Sequence, residues 1–155
     1  MAKQEIKPHT MLAGASLWAA QKGRTFIDEQ VDPKAHAIER LNQYLSANFQ
    51  FFRKNPSEAF AISAIYFFGQ SDASLQATYK QIQTLNVERF EANLLQISYE
   101  KGKTLNNSLP LAETIQSIMI GEIFKLINTS TQKQFKEREA NLLLQIKYLI
   151  ESALR

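Results

Sequence analysis

Apolar residues recur at spacings of three and four along most of the chain, and polar breaks divide the pattern into about six helical segments. The first is predicted over 10–30 and ends at Asp32-Pro33, because the residue before a proline is pushed out of the α region. In the second, over 36–54, Ile38, Leu41, Leu45, Phe49 and Phe52 share one face. Asn55-Pro56-Ser57-Glu58 reads as a helix start, with Asn55 as N-cap and Pro56 at the first helical position, where its missing N–H is harmless. The third helix, 56–68, is apolar from Ala59 to Phe68 except at Ser63, so it is expected to be the central helix and to end at Gly69.

Ser71-Asp72 opens a long fourth segment over 72–101, with Leu75, Tyr79, Ile82, Phe90, Leu94 and Ile97 as its apolar positions, a kink expected at Asn86 and a stop at Gly102. Pro110 marks the first turn of a fifth helix over 110–128. Thr131 and Gln134 have capping-box spacing at the head of a sixth over 132–154. No solenoid-period repeat, low-complexity stretch or long linker interrupts the series. The expectation is one all-α domain over 10–155 behind a tail of residues 1–9.

The last two segments carry more apolar surface than a monomer's outer helices need. Leu111, Ala112, Ile115, Ile118, Met119, Ile120, Ile123, Phe124, Leu126 and Ile127 cover an arc of roughly 240° at the helical period. In the sixth segment Phe135, Leu142, Leu143, Ile146, Leu149, Ile150, Ala153 and Leu154 form a broad stripe, while Leu144 and Tyr148 pair on the far side. Two readings fit. Either both helices are central in a monomeric bundle, or each packs inward on one side and against a second copy on the other, as in an isologous four-helix interface. The expected interface residues in the second reading are Ile118, Glu122, Phe124, Leu142, Leu144, Ile146, Tyr148, Leu149 and Ala153.

Composition narrows the function classes. The 155 residues suffice to bury a core without staples, and five Gly with four Pro leave little material for the turns of an all-β fold. Absence of cysteine removes thiolate chemistry and disulfides and fits a reducing, cytoplasmic setting. The net charge is +3 with the basic residues spread along the chain, Arg53-Lys54 being the one adjacent pair. Without a focused basic stripe the counterion-release term of DNA binding is missing, so no DNA binding by this chain alone is expected. The apolar run Met11–Ala20 is about half a membrane span, and Glu5, Gly14 and Ser16 spoil it as a secretory leader, so no membrane partner is expected.

Catalytic patterns are missing as well. His9 and His36 lie in no HExxH-like spacing, and there is neither a Gly-rich phosphate loop nor a G-x-S-x-G elbow. The chain is expected not to be an enzyme and to need no metal or cofactor. Polar residues within apolar stripes point elsewhere, because a buried polar group must find a partner or lose about 1–3 kcal/mol. Ser63, Asn93, Gln116 and Glu122 are such residues, and Tyr44, Phe49, Phe51, Phe52, Phe60, Tyr66, Phe67 and Phe68 are aromatic neighbours in sequence. An apolar cavity with a few convergent polar groups is the form of a small-molecule site. The candidate pocket residues are Tyr44, Phe49, Phe52, Ser63, Tyr66, Phe67, Asn93, Leu94, Ile97 and Gln116. The plainer alternative makes each of them core, a helix back-bond or a cap.

Several landmarks carry a family resemblance. Ile38-Glu39-Arg40-Leu41-Asn42-Gln43-Tyr44-Leu45, followed by Phe51-Phe52-Arg53-Lys54-Asn55-Pro56, then Gly102, the loop to Pro110 and Ala112, and Gly121 within Ile120-Gly121-Glu122-Ile123, resemble the C-terminal regulatory domain of TetR/AcrR-type transcriptional regulators over about residues 17–155. The resemblance implies helices enclosing an apolar effector cavity, with the last two pairing across a twofold axis. It departs at the front: a helix-turn-helix domain should precede this region, and residues 10–30 look like the connecting helix alone. The resemblance therefore implies an effector-sensing, homodimerising domain without its DNA reader, taking a small apolar or aromatic effector. A freestanding protein that heterodimerises with an intact regulator, and an unrelated structural bundle without a cavity, are the alternatives.

Overall fold

The structure, a computed structural model, describes residues 8–127 and 131–155. Among these residues it is all-helical: α1 (Pro8–Gln30), α2 (Ala37–Lys54), α3 (Pro56–Phe68), α4 (Gln76–Glu100), α5 (Ser108–Ile127) and α6 (Gln132–Ala153). Most of the expected tail, residues 1–7, and the expected end of the fifth helix at Asn128 lie outside the described residues.

Most helix boundaries follow from local chemistry. After α1, the Asp32 carboxylate accepts the Lys34 N–H at 2.8 Å, forming a turn of Asx type that prevents the helix from continuing. α6 starts where Thr131 Oγ1 accepts the Gln134 N–H at 3.2 Å, the expected capping contact. Gly102 takes the left-handed conformation, φ 60°, after α4.

Other boundaries obey contacts the sequence pattern does not reveal. α4 begins at Gln76 rather than 72 because Asp72 Oδ1 accepts both the Ser74 N–H at 2.8 Å and the Ser74 hydroxyl at 2.6 Å, closing a turn first. These bonds hold the Asp72 carboxyl below its ordinary pKa. The helix then runs unbroken through Asn86. Asn55 stands at the N-cap of α3, yet its side chain makes no cap bond there; its amide donates back to the Phe51 carbonyl at 2.9 Å and closes α2. The head of α2 is held from a distance, since Glu100 at the end of α4 accepts the Ala37 N–H at 3.0 and 3.2 Å. That backbone bond is the main reason the Glu100 carboxyl titrates low.

Contrary to the sequence expectation, α2 and not α3 is the central helix. α2 packs against all five other helices, and Leu41, Leu45, Phe49 and Phe51 are fully buried. α3 is apolar all round but covered on one side: Ala59, Ile62 and Ile65 face inward, whereas Phe60 and Phe67 are 68% and 71% exposed. Continuous hydrophobicity measures what a helix could bury, and the number of neighbours decides what it does bury. α1 lies along α3, α4 along α5, and α6 covers α5 and α2. The chain end is tied in by paired backbone bonds between Thr104 and Arg155, 3.0 and 3.1 Å. No helix among the described residues is long and apolar enough to cross a membrane.

Candidate functional site

α1 contributes a wall that sequence reasoning did not anticipate. At Gly23 the helix comes so close to α2 that an added Cβ would stand 3.0 Å from the Phe51 ring. Beside this contact a cleft of about 650 Å³ opens between α1, α2, α4 and α5, with Ile62 of α3 also in its lining. That volume lies within the range of roughly 300–1,000 Å³ usual for small-molecule sites. Phe51, Phe52, Ile62, Ile82 and Met119 line it and are themselves buried, so they make an apolar floor. Gln21, Arg24, Thr25, Asp28 and Gln81 are exposed and make a polar rim.

Arg89 of α4 reaches across the cleft to α1. Its Nη2 donates to Asp28 Oδ1 at 2.8 Å, and its guanidinium lies 4.7 Å from the centre of the Tyr44 ring. Arg24 approaches the other Asp28 oxygen at 3.8 Å. One carboxylate thus faces two guanidiniums.

A second polar group lies behind the wall. The Gln116 amide of α5 donates to the Tyr66 hydroxyl of α3, and the Asn86 side chain, which does line the cleft, also bonds the phenol. Burial pushes the Tyr66 phenol up to about 12, outweighing the two amides, which pull it down. Gln116 Oε1 is buried with no partner among the described residues.

The ten candidate pocket residues are dispersed. Phe52 lines the cleft. Tyr44 supports Arg89 from beneath, and Tyr66 and Gln116 form the pair behind the wall. Phe49 is core, with its ring 6.0 Å from that of Phe135, and Leu94 and Ile97 are core as well. Ser63 is buried on the inner side of α3. Asn93 accepts from Arg40 Nε and donates to the Arg89 carbonyl, both at 2.8 Å, which ties α2 to α4. Phe67 stands in solvent, away from the cleft.

Arg24, Asp28 and Arg89 were missed because each is an ordinary charge at a helix edge; Asp28 and Arg89 are 61 residues apart and meet only through the fold. Gly23 was the available signal, since a glycine inside an otherwise good helix marks a close approach.

Among the nine candidate interface residues, Leu142 and Ile146 are 0% and 1% exposed and belong to the chain's own core, because their face of α6 is turned toward the bundle. Leu144 and Tyr148 are exposed, while Ile118, Phe124, Leu149 and Ala153 are half-buried. Glu122 is held between α5 and α6, paired with Lys125 and, at 3.2 Å, with Arg138.

A separate aromatic surface lies over α1 and α3, where Met11, Trp18, Phe60, Phe67 and Phe68 are all more than half exposed. The two helices are clasped there by the Lys22–Glu58 ion pair, with Lys22 Nζ 5.2 Å from the Trp18 ring centre. The Lys22 hydrogen bond is the main reason the Glu58 carboxyl titrates low. No family model, curated protein or solved structure matches the chain.

Proposed function

We propose that this chain is the effector-sensing and dimerisation domain of a TetR-type regulator. The observation that carries the reading is the cleft beside α1, which has a buried apolar floor and a charged rim. α1 supplies much of the cleft wall, so an effector seated there bears directly on how α1 lies against α4. A ligand that favours one placement of α1 shifts the population of that placement, which is how a sensor passes a signal along a connecting helix. Pairing is assigned to the outer side of α5 and α6, where Leu144 and Tyr148 are exposed. Thermal unfolding of the chain against a panel of apolar and aromatic compounds tests the sensing part. A compound at 100 times its Kd adds about 2.7 kcal/mol of stability. Light scattering at micromolar concentration tests pairing, and a monomer there refutes it.

The exposed aromatics of α1 and α3 favour a second reading, a freestanding helical protein that heterodimerises with an intact regulator. Co-purification of a full-length regulator from the native host distinguishes it. In both readings the chain by itself senses or pairs and does not read DNA. Salt-resistant binding to an operator fragment would count against both.

A further inference from the structure

The charges around the cleft are unbalanced. Its lining contains two arginines, Arg24 and Arg89, one aspartate, Asp28, and beyond these three no ionisable side chain among the described residues. Arg89 donates one side-chain hydrogen bond there, to Asp28, and Arg24 makes the single 3.8 Å approach to the same carboxylate. The site therefore holds one net positive charge and a fork of guanidinium donors in excess of its acceptors. Arg89 is the more enclosed partner, 18% exposed in its side chain with its guanidinium 4.7 Å from the Tyr44 ring centre, whereas Asp28 is 50% exposed. A guanidinium held against a ring keeps its planar fork of N–H donors for bidentate contact with a carboxylate.

From this arrangement, and resting on the reading of the cleft as an effector site, we infer that the effector is an amphipathic monocarboxylate. Its apolar or aromatic body lies against Phe51, Phe52, Ile82 and Met119, and its carboxylate is received by Arg89 with Arg24. A single negative charge balances the lining. A phosphate dianion would exceed it and would stand against Asp28, and a cation would meet two arginines. The ligand carboxylate takes the place of Asp28 on Arg89 while Asp28 stays in the lining beside Arg24, so the charge count holds and binding undoes the ion pair between α4 and α1 across the cleft. Recognition and the loss of that α1–α4 ion pair are then the same event.

Calorimetric titration of the whole chain with matched probes tests this: decanoate and naphthalene-2-carboxylate against decanol and 2-naphthamide. The acids are expected to bind at least about tenfold more tightly than their neutral partners. Arg89→Gln should weaken the acids about tenfold and change the neutral compounds less than about twofold. Asp28→Asn removes the competing carboxylate and should tighten the acids severalfold, which keeps the test decisive if Arg89→Gln folds poorly. Equal affinity for acid and neutral probes, or acid binding weakened by Asp28→Asn, overturns the monocarboxylate assignment and leaves the effector reading in place. Failure of all four probes to bind at about 1 mM overturns the assignment and removes the support for the effector reading with it.

Discussion

The Gln116 side chain of α5 donates to the Tyr66 hydroxyl of α3 while its own carbonyl oxygen is buried without a partner among the described residues. A half-satisfied amide of this kind makes the two residues interdependent. Tyr66→Phe deletes the acceptor and leaves the whole Gln116 amide unpaired, at an expected loss of about 1–3 kcal/mol. Replacing both, as Tyr66→Phe with Gln116→Leu, removes the polar atoms of this pair together and leaves only Asn86, which lines the cleft and can turn to water, so stability should return to within about 1 kcal/mol of the parent. Urea unfolding of the two single variants and the double variant closes the cycle; simple additivity would show that the pair is not coupled.

The same phenol makes stability sensitive to alkali. Its pKa is raised to about 12 in the folded chain against 10.0 for a free tyrosine. A group whose folded pKa is raised contributes fully below the unfolded value and loses that contribution as pH climbs to the folded one. Stability should therefore fall between pH 10 and 12, since each tenfold difference in proton affinity between the folded and unfolded chain is worth roughly 1.4 kcal/mol. Absorbance at the phenolate band should show one of the five tyrosines titrating late, and Tyr66→Phe should abolish that late step.

At the acid end the sign reverses at Glu100. The carboxylate caps α2 through the Ala37 N–H and its pKa is lowered from 4.5. Its contribution is present above 4.5 and disappears as pH falls through the lowered folded value. Glu100→Ala should destabilise the chain near neutrality, because the Ala37 N–H at the head of α2 loses its acceptor. The difference between variant and parent should shrink on acidification. A pH-independent difference in chemical denaturation would assign the loss to packing instead.

Gly69 gives a test of space rather than of conformation. Its φ is −66°, open to any residue, but an added Cβ would lie 2.4 Å from the Ile65 carbonyl oxygen and 2.5 Å from Tyr79 Cβ. Since backbone must move to admit the methyl, Gly69→Ala should destabilise by about 1–3 kcal/mol or more. Gly102→Ala acts differently, because its φ of 60° is strained for alanine while the space around it is open; about 1 kcal/mol is expected. Thermal melts of the two variants should rank them in that order.

The fold class and the placement of the six helices were legible in the sequence, because helix periodicity, Pro56, the Thr131–Gln134 cap and Gly102 act over a turn or two of chain. Two departures were local, the Asp72–Ser74 turn that delays α4 and the Asn55 amide bonded back to Phe51; elsewhere distant groups decided. Glu100 supplies the cap of α2 from 63 residues away, and α2 takes the central place because five helices surround it, whereas the more hydrophobic α3 leaves Phe60 and Phe67 exposed. The candidate site was readable only in part. Phe52 was found because large apolar residues declare themselves, while Arg24, Asp28 and Arg89 have no local signature and become a site only where α1 and α4 approach. Local sequence thus determined which segments are helices and which faces are apolar, since those depend on neighbours three and four residues apart. Which apolar face is covered, and which charges share a cleft, was decided by tertiary packing, because both depend on groups that the chain brings together only when it folds.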